Sequence, residues 1–120
     1  MKVALTVWEN RISPLFDSAG MLLIADIEKS GKVRKHFEPI EKGLAFSRVA
    51  RLAELGVNIL ICGGISDFFA SLIEARRIRI VPFVAGPVEE VLEAFLAGDV
   101  YRKDLRMPGC EAGGGAADIL

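Results

Sequence analysis

Apolar residues fall along this chain in two rhythms. Lys2–Val7 and Met21–Ile27 are short, almost unbroken apolar runs, as expected of strands covered on both faces. Between them Trp8-Glu-Asn-Arg-Ile-Ser-Pro-Leu-Phe-Asp17 breaks the pattern, and Pro14 argues for an irregular loop. Glu28-Lys-Ser-Gly-Lys32 is a polar turn, and Val33–Glu38 reads as the returning arm of a hairpin that Pro39 stops. The spacing then lengthens. Leu44–Leu55 carries Ala45, Val49, Leu52 and Ala53 at helical intervals, with Gly56 where a left-handed cap belongs. Val57–Cys62 is an apolar strand, Gly63-Gly64 turns the chain, and Ser66 caps a helix that runs to about Ala75. Ile78–Val84 is the next strand, pushed towards an edge position by Pro82. Gly86-Pro87 opens the last helix, whose stripe of Val88, Val91, Leu92, Phe95 and Leu96 is the cleanest amphipathic signal before Gly98 ends it. From Asp99 the order fades. Residues 1–100 are expected to form the domain, and 101–120, with Met107-Pro-Gly-Cys110 and Gly113-Gly-Gly115, a flexible Gly-rich tail.

This order, a strand, a β-hairpin and then αβαβα, fixes much of the geometry. If the first strand points up, the hairpin sends the second down and the third up. Each later helix returns the chain, so the fourth and fifth strands also point up. The expectation is an α/β fold with a five-stranded mixed sheet and helices on both faces, the second strand alone running antiparallel. Four loops then gather on the upper edge, Trp8–Asp17, Pro39–Gly43, Gly63–Ser66 and Ala85–Pro87, together with three helix N-termini. Unpaired N–H groups make such an edge a natural anion site, and ligands of open α/β sheets bind there.

Bulk properties narrow the function. A chain of 120 residues fits one domain and buries roughly 65% of its unfolded surface. At 52% hydrophobic residues and a mean hydropathy of +0.38, the chain has apolar surface to spare for a partner subunit, so a homodimer is one expectation. A net charge of -1 offers no grip on nucleic acid. No apolar stretch is long enough to span a membrane, and no leader-like segment is recognised. Two cysteines, Cys62 and Cys110, are too few for a disulfide framework and fit the reducing cytoplasm.

The first strand with its irregular loop, then Met-Leu-Leu-Ile-Ala-Asp-Ile-Glu28, Asn-Ile-Leu-Ile-Cys-Gly-Gly-Ile65 and Val-Glu-Glu-Val-Leu-Glu-Ala-Phe-Leu-Ala-Gly98, resembles the dinitrogenase iron–molybdenum cofactor biosynthesis family, with its NifX- and NifB-like accessory proteins. The resemblance covers about residues 1–100. It implies a ribonuclease H-like three-layer fold. It also implies a role as carrier or insertase for iron–molybdenum cofactor precursors, or as holder of another molybdenum–sulfur or iron–sulfur cluster, in exchange with donor and acceptor proteins. One departure stands out. Cofactor-handling members of the family typically read His-Phe-Gly in the first loop, and this chain has Leu15, Phe16 and Asp17. The lone histidine, His36, lies in the hairpin arm and does not match.

The candidate cofactor-binding residues are Arg11, Ser13, Phe16 and Asp17 of the first loop, with Cys62, Gly63, Gly64 and Ser66 after the fourth strand. Arg11 can pair with an anion or stand as a solvated loop charge. Cys62 offers the one soft donor near the crevice, its thiolate favoured by neighbouring helix N-termini, or it is a small buried hydrophobe, while Cys110 in the tail can swing towards the crevice or stay an unengaged thiol. Gly63 and Gly64 let a ligand approach the backbone, make a tight turn, or do both. Phe16 and Trp8 can wall a pocket or pack the loop down. Three functions compete. The first is a non-enzymatic carrier of an anionic metal–sulfur cluster, and the second is a ligand-free interaction or regulatory module. The third is a metal-dependent nuclease, opposed by the absence of any carboxylate in Lys2–Val7, since two-metal hydrolysis needs carboxylates converging on the sheet. No Ser–His–Asp set or P-loop is recognisable.

Overall fold

The protein is described by a computed structural model that covers residues 1–101 and 103–107. Its spine is β1 (Lys2–Trp8), whose interior residues Val3–Val7 are all buried. A strand covered on both faces has no polar alternation to keep, which is why this run reads as continuous apolar sequence. β3 (Met21–Ile27) lies antiparallel to β1, and β4 (Val33–Pro39) antiparallel to β3. On the other flank β5 (Ile59–Ile61) and β6 (Arg79–Val81) run parallel to β1 and to each other, with Val3 opposite Ile59 and Ile59 opposite Arg79. The order is β4-β3-β1-β5-β6, and of these strands β3 alone is reversed.

The five-strand expectation is corrected by a sixth strand. β2 (Arg11–Ile12) folds back on the end of β1, pairing Val7 with Ile12 and Trp8 with Arg11. Glu9 and Asn10 form the two-residue turn with φ of 49° and 64°. A two-residue hairpin with both φ positive matches the twist of its strands, and asparagine tolerates that region well. Pro14 ends the regularity only after the hairpin has closed.

Among the described residues three α-helices cover the sheet. α1 (Ala45–Glu54) and α2 (Asp67–Ala75) pack on one face, where Val49, Leu52, Phe69 and Ile73 meet Ala4, Leu22, Ile24 and Leu60. α3 (Val88–Leu96) packs on the other, where Val88, Val91 and Leu92 meet Val3, Leu5, Leu23, Ile61 and Val81. Alternate residues of β1 feed opposite cores, as the two-residue period of a strand requires. In α3 the stripe is centred on Val91 and Leu92, with Ala94 inside, Phe95 half-buried on the flank and Leu96 45% exposed.

Packing does not stop at residue 100. Val100 and Leu105 are buried in the α3 core, a short 3-10 turn spans Lys103–Leu105, and Arg106 bridges to Val84. The Ala85 N–H donates to Leu105 O and the Met107 N–H to Phe83 O. The apolar residues that make this possible, Val100 and Leu105, are separated by charged ones and make no periodic pattern. The remainder of the expected tail, residues 108–120 with Cys110, lies outside the described residues.

Candidate functional site

The upper edge of the sheet is closed by its own loops. After the β1–β2 hairpin the chain crosses the loop that follows β5. The Gly64 N–H donates to Pro14 O, the Phe16 N–H donates to Gly64 O, and Leu15 and Gly64 form a parallel bridge. Gly63 makes this crossing possible, since a Cβ there would stand 2.5 Å from Ser13 O and 2.6 Å from Pro14 O. The Phe83 N–H donates to Gly63 O, and the Ile12 N–H to Gly86 O, so the loops after β1, β5 and β6 form one hydrogen-bonded layer.

Several residues singled out in the sequence belong to that layer as its fastenings. Asp17, half-buried in a 3-10 turn over Phe16–Ser18, accepts the Ser66 N–H at 3.2 Å. Ser66 caps α2, its Oγ accepting the Phe69 N–H at 3.3 Å. Two N–H groups at the positive end of α2 are thus met by the protein's own oxygens, in the manner of ordinary helix capping. Phe16 has no exposed surface and packs edge-on against Phe69 with centroids 5.3 Å apart. Cys62 is equally closed off, in the core under α1 and α2. Burial pushes its thiol up to about 12, and the nearby Asp17 carboxylate adds to the rise. The helix N-termini do not give it thiolate character, because desolvation outweighs them. In this conformation neither Phe16 nor Cys62 can touch a ligand. Arg11 is exposed on β2, beside Trp8 across the hairpin turn. His36 is on β4 against Glu38 at 3.2 Å, far along the sheet from the first loop.

Arg48 was not foreseen. It sits on α1 three residues after Ala45 and four before Leu52, on the inward side of the helix, yet counting apolar positions alone passes over it. The residue is 2% exposed. Its Nη1 donates to Glu41 O at 2.9 Å, and its Nη2 to Phe16 O at 2.7 Å and Ala19 O at 2.9 Å. The guanidinium lies 5.2 Å from the centre of the Phe16 ring and 5.9 Å from that of Phe69. Burial lowers its proton affinity and Asp17 partly restores it; a guanidinium keeps its charge through such shifts. Three carbonyls from two loops are thus gathered by one planar cation, which ties the first loop to the loop before α1.

Where those two loops meet there is a groove of about 320 Å³, lined by Val7, Trp8, Ser13, Pro14, Leu15, Ser18, Ala19, Gly20 and Lys42. Ser13 is the one residue of the sequence-derived set that lines it. Ser13 Oγ donates to Leu15 O at 3.4 Å. Lys42 is the sole cation on the lining, and Arg48 grips the carbonyl of Ala19 from behind it. Leu15, at the place where the resemblance puts histidine, is 42% exposed and faces this groove. Among the described residues no three of His, Cys, Asp and Glu converge as metal ligands, and no helix is long and apolar enough to cross a membrane.

Fold and groove together define a three-layer α/β protein with an open, mostly apolar groove bearing one lysine at the C-terminal edge of its parallel strands. The chain belongs to the dinitrogenase iron-molybdenum cofactor family, whose model matches residues 1–98. Among curated proteins none matches it. Solved structures share the fold. The crystal structure of PH0822 is similar with a TM-score of 0.78 at 19% identity, over 91% of this chain and 96% of that one. A Methanocaldococcus jannaschii protein, mj0327, provisionally called a dinitrogenase, gives 0.66 at 24% identity over 82% and 90%. A Thermotoga protein, TM1290, provisionally called a NifB protein of the DUF35 family, gives 0.60 at 24% over 95% and 98%.

Proposed function

We propose that this protein is a carrier, not an enzyme, for a small anionic metal–sulfur species. The cargo is an iron–molybdenum cofactor precursor or a related molybdenum–sulfur or iron–sulfur anion, held in the groove between the first loop and Lys42. The observation that carries this reading is a coincidence of place. The groove is lined by Leu15, the position at which the family resemblance locates cargo handling, and it faces the one lysine of the neighbouring loop. Lys42 supplies charge, Ser13 and Ser18 supply hydroxyls, and Trp8, Pro14 and Leu15 supply an apolar wall suited to weakly hydrated sulfur. Arg11 stands on β2 opposite Trp8, outside the groove lining. Gly63, Gly64, Asp17 and Ser66 act behind the groove by fixing the loop. The order of the five longer strands, with β3 alone reversed, supports the ribonuclease H-like assignment of the scaffold, and a donor or acceptor protein in the cytoplasm would complete the cycle.

Anaerobic titration with tetrathiomolybdate, followed by visible absorption, tests the reading. Binding that Lys42→Glu weakens about tenfold or more, that Leu15→His strengthens and that Cys62→Ser leaves unchanged is the expected pattern. Absence of binding by the wild-type protein to thiomolybdate and to iron–sulfur donors alike would sink the proposal and leave the interaction module.

A further inference from the structure

Of the ten large apolar side chains that stand exposed among the described residues, Met1, Phe37 and Leu96 lie away from the upper edge, and six gather on it. Trp8, Leu15, Leu44, Phe46, Phe68 and Phe83 are each between 42% and 78% exposed. All six stand on the upper edge: at the end of β1, in the first loop, at the start of α1, at the start of α2, and just after β6. Single exposed apolar residues are ordinary, but six along one edge make a patch. With about half of a 150–250 Å² side chain showing at each, the patch presents roughly 600–700 Å² of apolar surface. That approaches the ~800 Å² each partner buries in a standard interface and is well short of an obligate one.

The groove within this rim is an incomplete anion site. It carries one cation, Lys42, and among the described residues no ion pair or hydrogen bond engages that ammonium. A dianion such as tetrathiomolybdate, bound by one lysine, keeps net negative charge and an open face towards water. A second copy of this chain supplies what is lacking. Resting on the carrier reading above, we propose that two copies close edge to edge over one anion, each contributing its groove, its Lys42 and its apolar rim.

A two-fold arrangement is the natural one for identical edges. It sets two ammonium groups against one dianion and buries both rims, with a chain charge of only -1 per copy to oppose approach. The same geometry makes the pairing conditional. Without the anion, two lysines face each other across a drying interface, and like charges brought together there repel. The free protein is therefore a monomer, and the cargo itself is the switch that closes the pair and shields its metal–sulfur core from water.

Sedimentation velocity on the full chain, anaerobic and with added tetrathiomolybdate, reads this out. The expected result is a species of 13.0 kDa without the anion, doubling in mass as the anion is added, with the titration breaking at one anion per two chains. Phe46→Glu and Phe68→Glu lie outside the groove lining, at exposed positions, and circular dichroism checks that each variant stays folded. Each should hold the protein monomeric and weaken anion binding at least tenfold. Tight binding at one anion per chain with the mass unchanged would overturn the paired site while leaving the carrier reading intact. A dimer that forms without the anion, or that survives both substitutions, would also overturn it. No binding at all would remove both readings together.

Discussion

The two cores of this molecule are built on different terms. The core under α3 is aliphatic throughout its buried sheet and helix positions, with Val3, Leu5, Leu23, Ile61, Val81, Val91 and Leu92. The core under α1 and α2 mixes the same aliphatic floor with Phe16, Phe69, Cys62 and the buried cation of Arg48. The first loop explains the difference. It drops Phe16 into the α1/α2 core, and Arg48 rises from that core to hold the loop's carbonyls. Stability and site geometry are therefore joined on one face and separable on the other.

Substitutions can break that contrast or sharpen it. The largest effect is expected at Arg48. Arg48→Met leaves the buried carbonyl of Ala19 without its donor, an orphaned group that costs about 1–3 kcal/mol. It also removes a hydrogen bond from Phe16 O, which keeps the Ala19 N–H, and from the part-buried Glu41 O, together with the cation's contact with two aromatic rings. A loss of about 3 kcal/mol or more in denaturant titration should come with loss of anion binding by the fraction still folded. Leu92→Ala should cost a similar amount, about 2–5 kcal/mol as for other buried leucines, with binding unchanged below the transition. Equal damage to binding by both variants would show that the faces are not separable. Gly63→Ala forces a methyl against Ser13 and Pro14 and should cost about 1–3 kcal/mol, the usual range for overpacking. Its signature is a displaced first loop, seen as a changed Trp8 emission.

Phe95→Ala probes the α3 face from its flank. Full burial of an aromatic would predict about 3–5 kcal/mol; the half-buried ring should give about 1–2 kcal/mol in the same titration. Smallest near neutrality is the effect of Cys62. Its neutral thiol is favoured in the folded state, while the unfolded thiol ionises from 9.0. The unfolded chain then binds fewer protons, so stability falls as pH rises from about 9 towards 12 and is intact below. Tyr101, raised to about 12 by burial and by Cys62, acts in the same sense above 10. Cys62→Ala should flatten the decline above pH 9. A slope identical to wild type would show that the thiol ionises freely in the folded protein.

The sheet was readable because β1 and most of β3 are covered on both faces and the helices on one, which leaves continuous apolar runs and a helical period in the sequence, while the exposed edge strand β4 showed through the polar turn before it and Pro39. β2 was missed because two residues carry no period; its trace was Glu9-Asn10, a pair suited to a left-handed turn. The packing of Leu105 onto the core was missed for a related reason, as an isolated apolar residue among charges looks like a tail. The site was legible at the level of its edge and poorly legible at the level of side chains. Asp17, Ser66, Gly63 and Gly64 are polar or small for reasons of capping and close crossing, which demand the same residue types as ligand binding. Lys42 carries no motif; it lines the groove next to Glu41, whose carbonyl Arg48 holds.

The last described turn has a practical meaning for anyone trimming the chain. The family model ends at residue 98, yet Leu105 packs against Gly86 so closely that a Cβ on that glycine would stand 2.9 Å from its side chain. A fragment cut at 98 would bare the α3 core where Val100 and Leu105 had covered it and strip partners from the backbone at 83–85. Such a fragment should be quickly degraded by proteases in the cell, whereas one ending at 107 should survive them.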